Sequence, residues 1–211
     1  MDGLNAAHRI SDVETLQKLY GTPSGAAVEK EIDYLHPHYQ RLIAASPFFV
    51  FATGGPAGMD ASPRGDAPGF VVVADEKTLL IPDRRGNNRT DSLRNIIANP
   101  QVALLFLIPG VGETLRVNGR GTLTRDPELL EGLPTGGTKP PRLALHVEVD
   151  EAYLHCPKAF LRGGVWDPST WTPREELPSA AEIYRDHRDT PGLTVEQTRA
   201  ELDESIRERL W

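Results

Sequence analysis

Cysteine is nearly absent: Cys156 stands alone in 211 residues, so no disulfide can close within the chain, which suits a reducing compartment. No apolar run approaches the length needed to span a bilayer. The N-terminal MDGLNAAHRISDVETL has no apolar core of the kind a signal peptide carries, so the expected location is the cytoplasm and no membrane partner is expected. Positive charge is also short, with 23 Lys and Arg against 30 Asp and Glu and a net charge of -7. Binding along a nucleic-acid backbone needs a basic surface, so nucleic acid is not expected as a partner either. Catalytic signatures are missing as well: no Gly-x-Ser-x-Gly elbow, Walker loop, zinc spacing or Gly-x-Gly-x-x-Gly run occurs. Gly54-Gly55-Pro56-Ala57-Gly58 lacks the Lys-Ser/Thr of a phosphate loop. With no evident nucleophile or base, enzymatic chemistry would have to come from a cofactor.

What is present reads as an ordinary globular chain, 39% hydrophobic and 25% charged, long enough for one domain with a sizeable core. Residues 1–45 read as a helical segment packing on a barrel, 46–168 as the barrel and 169–211 as a helical tail, all in one domain. Ser11 is the expected N-cap of a first helix, with Glu14 completing a capping box. Residues 26–45 carry a second helical pattern, divided by Pro37. His36 and His38 lie there, but i,i+2 residues do not share a helix face and no third ligand is near, so ordinary histidines are favoured over metal ligands. Apolar runs predict strands at 47–53, 70–74, 78–81, 102–108, 113–123 and 143–149. Residues 91–98, 126–133 and 195–210 predict helices, 136–141 a flexible loop, and 151–162 a helix or turn. Short turns between successive strands favour a closed antiparallel barrel over a parallel sheet.

The chemistry concentrates between Asp60 and Pro100. Ser62 and Arg64 sit in a turn-rich segment before a strand. Asp83-Arg84-Arg85-Gly86-Asn87-Asn88-Arg89 then leads into a helix start at Asp91-Ser92. Guanidinium forks, Ser and Asn side chains and free amides at a helix N-terminus are the groups that hold a phosphate. The competing reading is a merely solvated arginine loop. Asp91 serves either as the cap or as an arginine's partner. Cys156, beside His155 and Lys158, is either an activated thiol or, more simply, a structural one.

Five segments in serial order, SPFFVFAT, SPRGDAPGF, TLLIPDRRGNNRTDSLRNIIANPQVALLFLIPG, ETLRVNGRG and HCPKAFLRGGVWDP, resemble the pyridoxamine 5'-phosphate oxidase-like FMN-binding split-barrel proteins. More narrowly, the chain resembles a branch of FMN-dependent proteins whose substrate is not fixed. The resemblance spans about residues 46–168. It implies a mainly β fold, a six-stranded antiparallel split barrel with flanking helices, and a homodimer with two FMN molecules in clefts between subunits. By the same resemblance Arg64 is the phosphate-binding arginine, Pro82 and Asp83 lie on the strand edge beside the flavin ring, and Asn88, Arg89 and Ser92 hold the phosphate. Thr114 stands where the oxidases place a flavin-contacting glutamine, and Lys158, Arg162 and Trp166 match the segment that crosses to the other subunit's flavin.

The chain also departs from that pattern. No lysine follows Arg64 before Lys77, and GNNRTDS replaces the oxidase's serine-arginine-lysine triplet. The region that recognises pyridoxal phosphate has no match, so pyridoxamine phosphate oxidase activity is not expected. The expected function is an FMN-dependent oxidoreductase that moves hydride between flavin and a small organic substrate or NAD(P)H. The alternatives are a flavin-binding or storage protein without turnover, and a barrel for haem or a deazaflavin, with His146 and His155 as candidate axial ligands.

Overall fold

The computed structural model describes residue 5 and residues 8–23, 25–84, 86–135 and 140–209. The chain divides into two compact units, Met1–Glu31 and Ile32–Trp211. The first holds helices α1 (Val13–Tyr20) and α2 (Ala26–Glu29). The cap of α1 is Asp12 rather than Ser11: its carboxylate accepts from the Thr15 amide at 2.7 Å. Carboxylate and hydroxyl cap about equally well, so adjacent Ser and Asp leave the boundary open by one residue.

The second unit opens with α3 (Pro37–Ala45), whose Pro37 occupies the first turn, where a missing N–H costs nothing. Seven strands follow: β1 (Phe48–Gly55), β2 (Gly58–Gly65), β3 (Val72–Asp75), β4 (Thr78–Pro82), β5 (Gln101–Leu107), β6 (Thr114–Thr124) and β7 (Ala144–His155). They form one sheet in the order β2-β1-β5-β6-β7-β4-β3, antiparallel at every pairing. The barrel class is as expected, but there is one strand more than the six predicted. The extra strand is β2, GMDASPRG, which has no β-branched residue and carries a proline, so propensity points to a turn. As an edge strand it tolerates Pro63, and the two-residue Pro56-Ala57 turn after Gly55 pairs it residue for residue with β1.

The core follows from alternation. In β1, Phe49, Phe51 and Thr53 face inward, and in β5 Val102, Leu104 and Phe106 do so, joined by Leu79, Leu115, Val117 and Val147. Phe49 stacks on Phe70 with centroids 5.8 Å apart and lies 5.2 Å from Phe106. Helix α4 (Asp91–Ala98) packs on β1, β6 and β2, burying Ile96; its Asn95 amide donates to the Thr53 hydroxyl at 3.1 Å.

Strand β7 is longer than predicted. Residues 151–155 continue it rather than starting a helix, because a bulge opposite Asn118 and Gly119 resets the phase of the strand. The expected loop at 136–141 falls largely outside the described residues. Beyond α5 (Pro127–Glu131), α6 (Lys158–Gly163) follows β7. At the C-terminus α7 (Ala180–His187), started by a Ser179–Glu182 capping box, packs on α8 (Val195–Arg209).

Candidate functional site

Because β2 is a strand, its period of two places Asp60, Ser62 and Arg64 on one face, half-buried, while their neighbours are exposed. That face meets the start of α4. Thr90, the N-cap of α4, makes no side-chain capping bond, so the first amides of the helix are not closed by their own cap. A cleft of about 350 Å³ lies between, lined by these three β2 residues and by Asn87, Arg89, Asp91 and Ser92. Ser62 and Ser92 hydroxyls stand 2.9 Å apart. The Ser92 hydroxyl donates to the Asp60 carboxylate, and Ser62 does so at 3.4 Å.

Arg64 bridges this cleft and a second, apolar slot. Its guanidinium lies 5.8 Å from the Phe51 ring centroid and 3.7 Å from the Asp83 carboxylate. The slot, lined by Phe49, Phe51, Ile81, Pro82, Leu93 and Leu145 among others, measures only about 20 Å³. Burial raises the Asp83 pKa above the ordinary aspartate value, with Arg64 and then Arg142 pulling it back. The folded state therefore binds the Asp83 proton more tightly than the unfolded chain. This group favours folding below the ordinary aspartate pKa and loses that contribution as pH rises through its folded value. The expected result is that Asp83→Asn raises the melting temperature at neutral pH and gives no gain below about pH 4, the ordinary aspartate range. Paired thermal melts across that range check it.

The arginine loop divides its labour. Arg84 is a structural pin: it bonds the buried carboxylate of Asp66 at 2.6 Å and the carbonyls of Pro134 and Thr135 at 2.8 and 3.0 Å. Arg85 lies outside the described residues. Arg89 is exposed and paired with Asp91, which, more than Asp60, holds its pKa above the usual arginine value. Asn88 takes a positive φ of 60° and accepts from Arg142 at 3.4 Å, whereas its neighbour Asn87 lines the cleft.

The remaining predicted residues lie elsewhere. Thr114 is buried at the start of β6, opposite His155, and shares by alternation the outward sheet face of Arg116 and Asn118. Arg64 points the other way, three strand spacings or roughly 15 Å along the sheet. Lys158 and Arg162 are on α6, and the Trp166 indole donates to the Val111 carbonyl at 2.8 Å. None of these four residues lines either cavity. His146 and His155 are nine residues apart on β7, roughly 30 Å, too far to ligate one iron together. His36 Nδ1 accepts from the His38 amide, and among the described residues no group of three His, Cys, Asp or Glu is placed to hold a metal. Asp60 and Asn87 in the cleft, and Phe51 in the slot, are residues to which the sequence alone gave no role; recognising β2 as a strand would have shown the Asp-x-Ser-x-Arg face.

An antiparallel sheet of this order with flanking helices defines the split-barrel class. The pyridoxamine 5'-phosphate oxidase family model matches residues 35–156, more than half of the chain, and the chain belongs to that family. No curated protein matches. Among solved structures, HupZ of Group A Streptococcus is 16% identical, covering 56% of this chain and 90% of its own, with a TM-score of 0.45. A NimC/NimA family protein of Clostridium acetobutylicum is 17% identical over 57% and 87%, TM-score 0.42. General stress protein 26 of Bacillus anthracis is 14% identical over 54% and 88%, TM-score 0.38. Among the described residues no helix is long and apolar enough to cross a membrane.

Proposed function

We propose that this chain is an FMN-dependent oxidoreductase working as a homodimer, its flavin held between subunits. The observation that carries the reading is the face of β2, where Ser62 and Arg64 are aimed at the uncapped start of α4. Hydroxyls, a guanidinium and helix amides are the donor set of a phosphate site, so the residues fit that end of FMN. Arg64 and Ser92 would hold the phosphate, with Arg89 at the mouth and Asn87 beside it. Pro82 and Asp83 would flank the ring. When bound, FMN supplies the hydride-accepting and hydride-donating centre for a small organic substrate or NAD(P)H.

Among the described residues, the slot beside Pro82 does not enclose a ring system. Ligand pockets run to several hundred Å³, and the slot beside Pro82 is about 20 Å³. The missing wall would come from a second copy, across the outward face of β1, β5 and β6. There Val50, Ala52, Ala103, Leu105 and Leu107 are half-buried side chains directly paired across strands, Val50 with Leu105 and Ala52 with Ala103. A sheet face meant for water would alternate to polar residues at these positions. Thr114 is on this same face, which accounts for its separation from Arg64 within one chain.

The test is the visible spectrum of purified protein, with extraction of any chromophore. Flavin maxima and one FMN per chain support the reading; colourless protein that refuses added FMN overturns it. Reduction by NADH or NADPH and reoxidation by an acceptor separate an oxidoreductase from a storage protein. Arg64→Ala is expected to weaken FMN ten- to a hundredfold, the scale of a charged hydrogen bond at about 1.5–3 kcal/mol, while riboflavin binding changes little. Equal losses for both flavins would remove Arg64 from the phosphate site.

A further inference from the structure

The cleft that fits a phosphate is already neutralised from within. Arg64 faces Asp83, Arg89 is paired with Asp91, and Arg84 is turned to Asp66. The two hydroxyls best placed to meet a ligand, Ser62 and Ser92, both point to Asp60. Lined by two arginines and two aspartates, the cleft carries no net charge. Asp60 reaches it because it is two residues before Ser62 and four before Arg64 on the same strand face, so the sequence that aims the donors also aims this carboxylate.

We propose that Asp60 sets the specificity of this cleft by acting as an internal anion at the start of α4, occupying the donors that a ligand phosphate must take over. This rests on the FMN reading above. A dianionic phosphomonoester has to turn the Ser62 and Ser92 hydroxyls away from Asp60 and then sit beside its charge. A flavin without a phosphate meets neither obstacle. Asp60 therefore holds the affinity for the phosphorylated cofactor below what the donor set alone would give, which makes the cofactor exchangeable rather than permanently bound. The carboxylate also satisfies the hydroxyls when the phosphate is absent, so the empty cleft need not collapse.

Asp60→Asn tests this, because it keeps the shape and one acceptor oxygen but removes the charge. Cofactor-free full-length wild type and variant are titrated with FMN and with riboflavin, following flavin fluorescence. The expected result is a dissociation constant for FMN at least about tenfold lower in the variant, with riboflavin changed by less than about twofold, and slower FMN release on dilution. Asp60→Ser gives the same readout should the asparagine variant not fold. If wild type binds FMN and the ratio of the two affinities is unchanged or falls in the variants, Asp60 has no such role, and the FMN reading stands without it. If no protein binds either flavin, the FMN reading fails and this proposal with it.

Discussion

On the proposed reading, Leu105→Glu should turn the dimer into monomers and, with them, lose the flavin. Leu105 sits at the centre of the apolar outward face, paired with Val50 on β1 and with Arg116 on β6. In a twofold dimer each copy brings the substitution to the same patch, so two carboxylates enter one interface. Even with Arg116 opposite, taking two carboxylates out of water in one interface costs more than the pairing returns, so the dimer dissociation constant should rise by at least about a hundredfold, or about 2.7 kcal/mol. Because the side chain points away from the barrel interior, the monomer should keep its fold and its circular dichroism. Sedimentation equilibrium on wild type and variant reads this directly. A wild type that is monomeric at tens of micromolar, or a variant of unchanged mass, would remove the second copy from the proposed site. Arg116 and Tyr153 at the border of the patch, joined by a 2.7 Å hydrogen bond and a 5.2 Å cation–π contact, offer a milder perturbation of the same surface.

The strong, uninterrupted signals were legible in the sequence. Runs such as VALLFLI and FFVFAT specify strands because apolar and β-branched residues dominate them, and Pro37 and Pro100 mark boundaries through their fixed φ and missing N–H. Two elements were not legible, for different reasons. Strand β2 owes its existence to pairing with β1, a tertiary effect that overrides the turn propensity of GMDASPRG. The end of β7 was hidden because alternation in LALHVEV breaks phase at Asp150, where the strand inserts one extra residue. The candidate cleft followed the same division. Arg64, Arg89 and Ser92 could be named as candidates from residue type, but the opposing carboxylate of Asp60, the pairing of Arg84 with Asp66 and the placing of Asn87 rather than Asn88 at the cleft depend on which way side chains point. Those directions are fixed by strand phase and by a single positive φ, neither of which residue type reveals.

Gly119→Ala should cost the fold at least about 3 kcal/mol, a large share of the stability of an ordinary domain. A Cβ at this position would lie 2.1 Å from the Glu148 carbonyl oxygen and 3.1 Å from Val147 Cγ1. The obstacle is backbone in the middle of the sheet, with β6 held between β5 and β7, and β7 between β6 and β4, so neither strand can step aside. Gly119 is the residue at which the bulge resets β7. Before it Leu145, Val147 and Val149 face the core; after it Ala152 and Leu154 do, leaving Tyr153 and Glu151 outward beside Arg116 and Asn118. Removing the bulge to relieve the clash would turn one half of β7 inside out, burying either a tyrosine and a carboxylate or two acids in the barrel. Gly54→Ala is the matched control. Its Cβ would meet only the Met59 thioether at 2.8 Å, the free end of a side chain 84% exposed, which can swing aside for less than about 1 kcal/mol. Denaturant melts of the two variants should therefore separate widely. If Gly119→Ala melts with wild type, then β6 and β7 do not approach as closely as this register requires, and the outward placement of Thr114, Arg116 and Tyr153 that the dimer reading uses is lost together with the bulge.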